Sequence, residues 1–344
     1  MNPEVESAGL RFGVVGIGNI VQGTIAPAIV AEEGCELVAA VSRDQGRADA
    51  FAEKFGARFA YTDYDEMLAN PEVDAVFIGT PNQQHSAQTI AAARAGKHVL
   101  CDKPMAISVA DAVASLEACH AAGVRLGINF HNRHLPWVQD TRAMVAEGRI
   151  GEIEVIQVEG GSGPRHYDNW RADPAMAGLG TLYNVGVHML DFLRWILDSE
   201  ATEVTALFDR QPESGEIEML AMVLLRFGNG TMAYLNANEK LLFPQNDIAI
   251  HGKRGRIIGA GVTRSRADGE LRLLTEEGET ATPYRNEGAH RRSVAAFARA
   301  VLAGETPNAS GVDGLRSIEL CDAIARSVRE RRTVGVDYIV APGQ

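Results

Sequence analysis

The chain has 344 residues, 46% apolar and 23% charged, with 33 Lys+Arg against 45 Asp+Glu and a formal net charge of −12. That length predicts two domains, each able to bury its own core. The acidic balance weighs against a broad nucleic-acid or anionic-membrane surface, because both partners are polyanions and demand a basic footprint.

No stretch approaches the ~18 uninterrupted apolar residues of a membrane span. Residues 1–9 carry Glu4 and Glu6, with no basic or apolar region of the kind that marks a signal peptide, so they read as a frayed leader before a strand. Cys35, Cys101, Cys119 and Cys321 are scattered without C-x-x-C spacing. Buried free thiols in a reducing compartment are therefore expected rather than disulfides or a zinc site. Together these features predict a cytoplasmic protein.

The first ~130 residues alternate two periodicities, the signature of strand–helix–strand units. Short apolar runs at 11–15, 36–41, 75–78, 98–101 and 124–128 are separated by helical patterns at 20–32, 45–55, 64–69, 84–95 and 109–122. Gly34, Gly56, Gly96 and Gly123 supply helix stops. Strands this short and apolar belong in a doubly wound parallel sheet covered on both faces, with a nucleotide at the strands' carboxyl ends. After about residue 150 the pattern changes. A strand at 151–159 alternates Ile153, Val155, Ile156 and Val158, and a helix is expected over 185–197. Strands with turn signals such as Gly228-Asn229-Gly230 fill 203–283, and helices close the chain at 290–303 and 311–331. The fold class is thus α/β. A dinucleotide-binding domain over 1–130 precedes an α+β domain over 131–344 with an open, largely antiparallel sheet, its final helices able to pack back on the first domain.

Gly16-Ile17-Gly18-Asn19-Ile20-Val21 joins the first strand to the first helix. Gly16 permits the tight turn, Gly18 lets the backbone approach a pyrophosphate, and the helix start beyond offers free N–H groups to the anion. Val21 stands where a third glycine would serve close helix–sheet packing. At the end of the second strand an NAD site has an acidic residue for the ribose 2′-hydroxyl. Here Ser42 occupies that place, followed by Arg43, with Arg47 one helical turn on. A hydroxyl and guanidinium groups suit a 2′-phosphate, so NADP(H) is expected. NAD(H) remains the alternative: Asp44 is near enough to serve the hydroxyl, and both arginines can be solvated helix-start residues.

Lys97-His98-Val99-Leu100-Cys101-Asp102-Lys103-Pro104 ends a strand with a lysine aimed at the nicotinamide crevice, Asp102 placed to orient it, and Pro104 a candidate for a cis bond. With the glycine turn, Thr80-Pro81-Asn82 and His85, Trp170-Arg171, and Gly186-Val187-His188, this corner resembles the glucose–fructose oxidoreductase/inositol dehydrogenase/MocA family over essentially the whole chain. The resemblance implies a Rossmann domain, a C-terminal sheet used in oligomer contacts, and pyridine-nucleotide redox chemistry on sugars, cyclitols or related alcohols. It also implies that Lys103 stands beside the nicotinamide and the substrate, and that Gly16, Gly18, Asn19, Ile20, Thr80, Pro81, Asn82, His85 and Asp102 border the cofactor. Asp102 replaces the usual glutamate.

Family members carry an aspartate four residues before a histidine. Here those positions are Asn184 and His188, which share one face where the segment is helical. An amide can bind a substrate hydroxyl but can neither accept a proton nor hold an imidazolium by charge. Hydride exchange at a carbinol carbon also needs a proton carrier titrating near neutrality. His188 is therefore expected as acid/base, Lys103 as electrostatic partner, and Asn184 as a hydroxyl ligand.

Arg133, between His131 and His134, is expected to line the crevice and bind substrate; a metal there lacks a third ligand. Asp191 is expected to accept from the His188 ring. Trp170-Arg171 reads equally as a lid over the nicotinamide and phosphates or as a loop anchor. His85 is expected to shape the crevice, and Tyr284 is a further residue that can reach the cleft from the sheet. The leading expectation is an NADP(H)-dependent oxidoreductase of a sugar, sugar derivative or polyol, with no metal, forming a homodimer or homotetramer through its open sheet. The alternatives are a glycosidase that uses nicotinamide transiently and a nucleotide-binding regulator without turnover.

Overall fold

The computed structural model describes residues 9–263 and 268–341, so the leader reading at 1–8 lies outside the described residues. The first half alternates β1 (Leu10–Val15), α1 (Ala26–Ala31), β2 (Cys35–Val41), α2 (Gln45–Phe55), β3 (Phe59–Tyr61), α3 (Tyr64–Ala69), β4 (Ala75–Ile78), α4 (His85–Arg94), β5 (His98–Cys101), α5 (Val109–Ala121) and β6 (Leu126–Ile128). The strands form a parallel sheet of order β3-β2-β1-β4-β5-β6. β1 and β4 are almost wholly buried, as strands with helices on both faces must be. β3 went unread in the sequence because it is three residues long and only half-buried, with no apolar run. The helix expected over 20–32 begins as a π-helical turn, Val21–Ile25, and continues as α1.

The second half adds α6 (Pro136–Ala146), β7 (Ile153–Gly161), α7 (Pro174–Ala177), α8 (Val187–Leu197), β8 (Ala201–Phe208), β9 (Leu220–Phe227), β10 (Met232–Asn238), β11 (Ile248–Gly252), β12 (Gly255–Ala260), β13 (Asp268–Thr275), β14 (Gly278–Arg285), α9 (Ala289–Leu302), α10 (Gly311–Glu330) and β15 (Val334–Gly335). Nine strands form one sheet of order β14-β13-β12-β11-β7-β10-β9-β8-β15, antiparallel except where β7 meets β10. Residues of β9 alternate buried and exposed, so one face packs on the protein and the other is open. Leu207 (72% exposed) and Leu224 (57%) stand on that open face with Met222 and Met232.

The closing helices bind the halves together. Phe297 of α9 packs against Phe12 of β1, ring centroids 6.1 Å apart, and Gly127 of β6 leaves room for that ring. α10 lies on β6 through Gly314, where a Cβ would meet Met105 and Ile128 within 2.8 Å, and also bonds β8 through Ser327. The cysteines are free, three buried and Cys35 half-buried. No helix among the described residues is long and apolar enough to cross a membrane.

Candidate active site

The strand order reverses between β1 and β4, and a crevice opens at the carboxyl ends of the strands there. A cavity of about 1090 Å³ runs from Gly18-Asn19-Ile20, past Gly79 and Thr80, to Lys103 and His188. Gly16 has φ +82°, and a Cβ there would lie 2.5 Å from the backbone of Gly79 and Thr80, so only glycine fits this turn. At Gly18 a Cβ would meet nothing nearer than 4.0 Å and would project into space that the turn otherwise leaves to a ligand. The missing third glycine has a counterpart across the turn. Gly79 faces Val21, and a Cβ on Gly79 would lie 2.6 Å from the Val21 side chain. The close approach of helix to sheet is thus obtained from the strand side. These features fit a dinucleotide whose phosphates rest on the turn.

Asn82 donates to the Ala177 carbonyl at 2.9 Å, tying α7 to the crevice. His85 is buried to 1%, with its ring nitrogens 2.7 Å from the Pro104 carbonyl and 2.8 Å from that of Thr80. It shapes the crevice by bonding the Pro104 and Thr80 carbonyls and is not among the residues that line the cavity. Pro81 and Ser42 lie outside the cavity lining as well. Ser42 accepts from the Asp44 N–H at 3.4 Å, and Asp44 in turn caps α2 by accepting from the Arg47 N–H at 2.8 Å. Arg43 and Arg47 are exposed, and their guanidinium groups have no hydrogen bond or ion pair among the described residues.

Lys103 follows β5, and its peptide bond to Pro104 is cis. Its Nζ donates to the Asn184 carbonyl at 2.8 Å and approaches that of Tyr183 at 3.5 Å. Burial lowers its affinity for the proton, opposed by the Asp102 carboxylate, lowered further by Arg171, and opposed again by Glu239. Asp102 acts on Lys103 by charge alone; its Oδ1 accepts from Asn129 at 3.2 Å. The carbonyls that hold Lys103 belong to a π-helical turn, Leu182–Gly186, which leads into α8. Glu218 anchors that turn by accepting from the Gly180 and Leu182 N–H groups at 2.7 and 2.9 Å.

His188, in the first turn of α8, lines the same cavity. Its Nδ1 is buried without a partner among the described residues. Its pKa is well below the ordinary imidazole value, through burial first and then the charge of Lys103 and the neighbouring His290. The His131 ring stands edge-on to it at 4.7 Å and stacks on His290 at 3.9 Å. No group of three or more His, Cys, Asp or Glu among the described residues could hold a metal ion. Arg171 lies over the Trp170 ring at 4.3 Å, and both border the cavity.

Arg133 corrects the sequence reading. It is 2% exposed and away from the cavity, where it bonds Asp191 through Nε and Nη2 at 2.8 and 2.5 Å and Asp313 at 2.9 Å. It therefore locks α8 to α10 instead of meeting a ligand. Asp191 is committed to this pair and leaves the His188 ring alone. Tyr284 donates to Asp140 and does not border the cavity.

Among the cavity residues that the sequence reading passed over are His290, Tyr167 and Glu239. His290 opens α9 after Gly288, and Tyr167 lies in the loop before α7. Glu239 follows β10, and the Asn236-Ala237-Asn238-Glu239 polar end of an otherwise apolar strand was its one legible signal. Asn184 Nδ2 donates to Glu239 Oε1 at 2.6 Å and to the Tyr167 hydroxyl at 2.8 Å.

Residues 10–130 match an oxidoreductase family model with an NAD-binding Rossmann fold, and 138–258 match the GFO/IDH/MocA C-terminal domain. A 1,5-anhydro-D-fructose reductase from Ensifer adhaerens is 33% identical, over 92% of this chain and 96% of its own. Among solved structures, an aldose-aldose oxidoreductase from Caulobacter crescentus complexed with glycerol superposes with a TM-score of 0.88 at 27% identity, covering 95% of this chain and 99% of its own. A 3-ketoreductase from Actinomadura kijaniata with NADP and TDP-benzene gives 0.82 at 27%, covering 93% and 98%. The reversal of strand order, the glycine turn and the lysine–histidine crevice occur here in a chain that belongs to the GFO/IDH/MocA family of NAD(P)-dependent oxidoreductases.

Proposed function

We propose that the chain moves hydride between NADP(H) and a carbinol or carbonyl carbon of a sugar, sugar derivative or polyol. The observation that carries this reading is the single cavity joining the glycine turn to Lys103 and His188. A bound nicotinamide supplies the site that gives or receives hydride. Lys103, held by the Asn184 carbonyl, polarises the substrate oxygen. His188 carries the proton that must leave or join that oxygen, and its lowered pKa keeps it neutral and ready to accept. Asn184 offers the substrate an amide fixed by Glu239 and Tyr167. Trp170 and Arg171 cover the crevice. The sugar-active relatives support the substrate class.

NADP(H) is favoured over NAD(H) because no carboxylate stands at Ser42, Asp44 is occupied as a helix cap, and Arg43 and Arg47 present unpaired guanidinium groups beside it. The open face of the larger sheet, with Leu207 and Leu224 exposed, fits a second copy of the chain.

The test is absorbance at the reduced-nicotinamide band across sugars, polyols and aryl glycosides, with nucleotide dissociation constants measured beside it. NADPH should bind more tightly than NADH. Lys103→Ala and His188→Ala should each lower kcat by about 10²–10⁴-fold at saturating substrate. Near-wild-type turnover in both variants contradicts the assignment, and aryl-glycoside cleavage without a net absorbance change favours the glycosidase reading.

A further inference from the structure

Glu239 is 1% exposed at the end of β10, yet it borders the cavity shared by Lys103 and His188. Its two oxygens are treated very differently. Oε1 accepts from Asn184 Nδ2 at 2.6 Å, from the Tyr167 hydroxyl at 2.7 Å and from Ser162 Oγ at 3.1 Å. Oε2 is buried and has no hydrogen-bond partner among the described residues. Leaving a buried carboxylate oxygen without a donor is costly, so such an atom marks a place where something else donates. The donors that hold Oε1 are already committed. Both Asn184 amide hydrogens are used, one on Glu239 and one on Tyr167, and the Tyr167 and Ser162 hydroxyls each point at Oε1.

The same geometry accounts for the amide at position 184. An aspartate there would set two carboxylates within hydrogen-bond distance, and both could not stay ionised. Asparagine donates where aspartate would repel. The negative charge absent from α8's approach has not left the pocket; it enters from the sheet.

We propose that Glu239 is the carboxylate of the substrate pocket in this chain, exchanged in position with residue 184, and that its Oε2 accepts a hydrogen bond from a hydroxyl of a polyhydroxylated substrate. This rests on the reading of the crevice as a hydride-transfer site for sugars or polyols. The carboxylate selects substrates that present a hydroxyl donor beside the reacting carbon, and its charge assists the Lys103 ammonium across the same space.

The experiment measures binding of 1,5-anhydro-D-fructose, D-glucose and myo-inositol to the NADPH-loaded protein by quenching of reduced-nicotinamide fluorescence. It compares wild type, Glu239→Gln, Asn184→Asp and the double exchange Asn184→Asp/Glu239→Gln, with melting temperature as a check on folding. NADPH affinity should be unchanged in all four. Each single variant should weaken sugar binding about tenfold or more, the cost of one charge-assisted hydrogen bond. The double exchange should recover to within about threefold of wild type, because it restores one carboxylate and one amide to the pair. A purely structural role of the pair predicts that melting temperature falls and recovers together with sugar affinity, whereas the ligand role predicts that sugar affinity changes while melting temperature stays level. Equal sugar affinity in Glu239→Gln, failure of the folded double variant to recover, or saturable NADPH binding with no response to any of the three sugars overturns the proposal. Loss of NADPH binding in the wild type would instead overturn the hydride-transfer reading beneath it.

Discussion

His188, the proposed base, is biased toward its neutral form by its surroundings. Burial, Lys103 and His290 all disfavour its charged form. In alcohol oxidation the imidazole must be neutral, so kcat/KM should stay level as pH falls from about 8 to about 6, through the ~6.5 at which an ordinary histidine is half protonated. In carbonyl reduction the imidazolium is needed, so the rate should fall as pH rises through that range. An oxidation profile that declines with a midpoint at the ordinary imidazole value would contradict this. Gly16, Lys103 and His188 were legible in sequence because each lies in a local pattern: strand-to-helix turn, strand-end lysine, or helix-spaced pair. Glu239 and His290 were not, since they reach the cavity from elements far along the chain and only packing brings them there. Arg133 misled for the same reason. Its neighbours His131 and Asn132 do border the cavity, but its own partners, Asp191 and Asp313, are remote in sequence.

At the scale of elements, that arginine is a joint. It ties the segment before α6 to α8 and α10 through two carboxylates, Asp191 almost out of reach of water and Asp313 24% exposed. Removing one partner of a buried ionic group leaves the others uncompensated, so Arg133→Ala should cost about 3–5 kcal/mol in denaturant unfolding. The KM of the remaining folded enzyme should hardly change, whereas a residue that binds substrate would give the reverse, a large KM effect at near-native stability. The strand and helix order was readable from apolar periodicity and glycine stops. The two π-helical turns, Val21–Ile25 and Leu182–Gly186, were not, because they share the hydrophobic spacing of an α-helix. Both border the crevice, and the second turns the Tyr183 and Asn184 carbonyls toward Lys103.

For the whole molecule, the two-sheet architecture followed from the change of pattern near residue 150, while the packing of α9 and α10 across both sheets depended on contacts such as Phe297 with Phe12. The exposed Leu207, Met222, Leu224 and Met232 give one sheet face an apolar surface. Light scattering should find an oligomer for the wild type and a monomer for Leu224→Glu with its fold intact; a monomeric wild type would remove the proposed assembly. The hydride-transfer account is tested most directly by following label. With NADPH deuterated at the transferable C4 position, mass spectrometry of the reduced sugar should show one deuterium per turnover at the carbinol carbon. The yield should collapse in Lys103→Ala and His188→Ala while NADPH still binds. Product without deuterium, or undiminished labelling in both variants, would contradict the account.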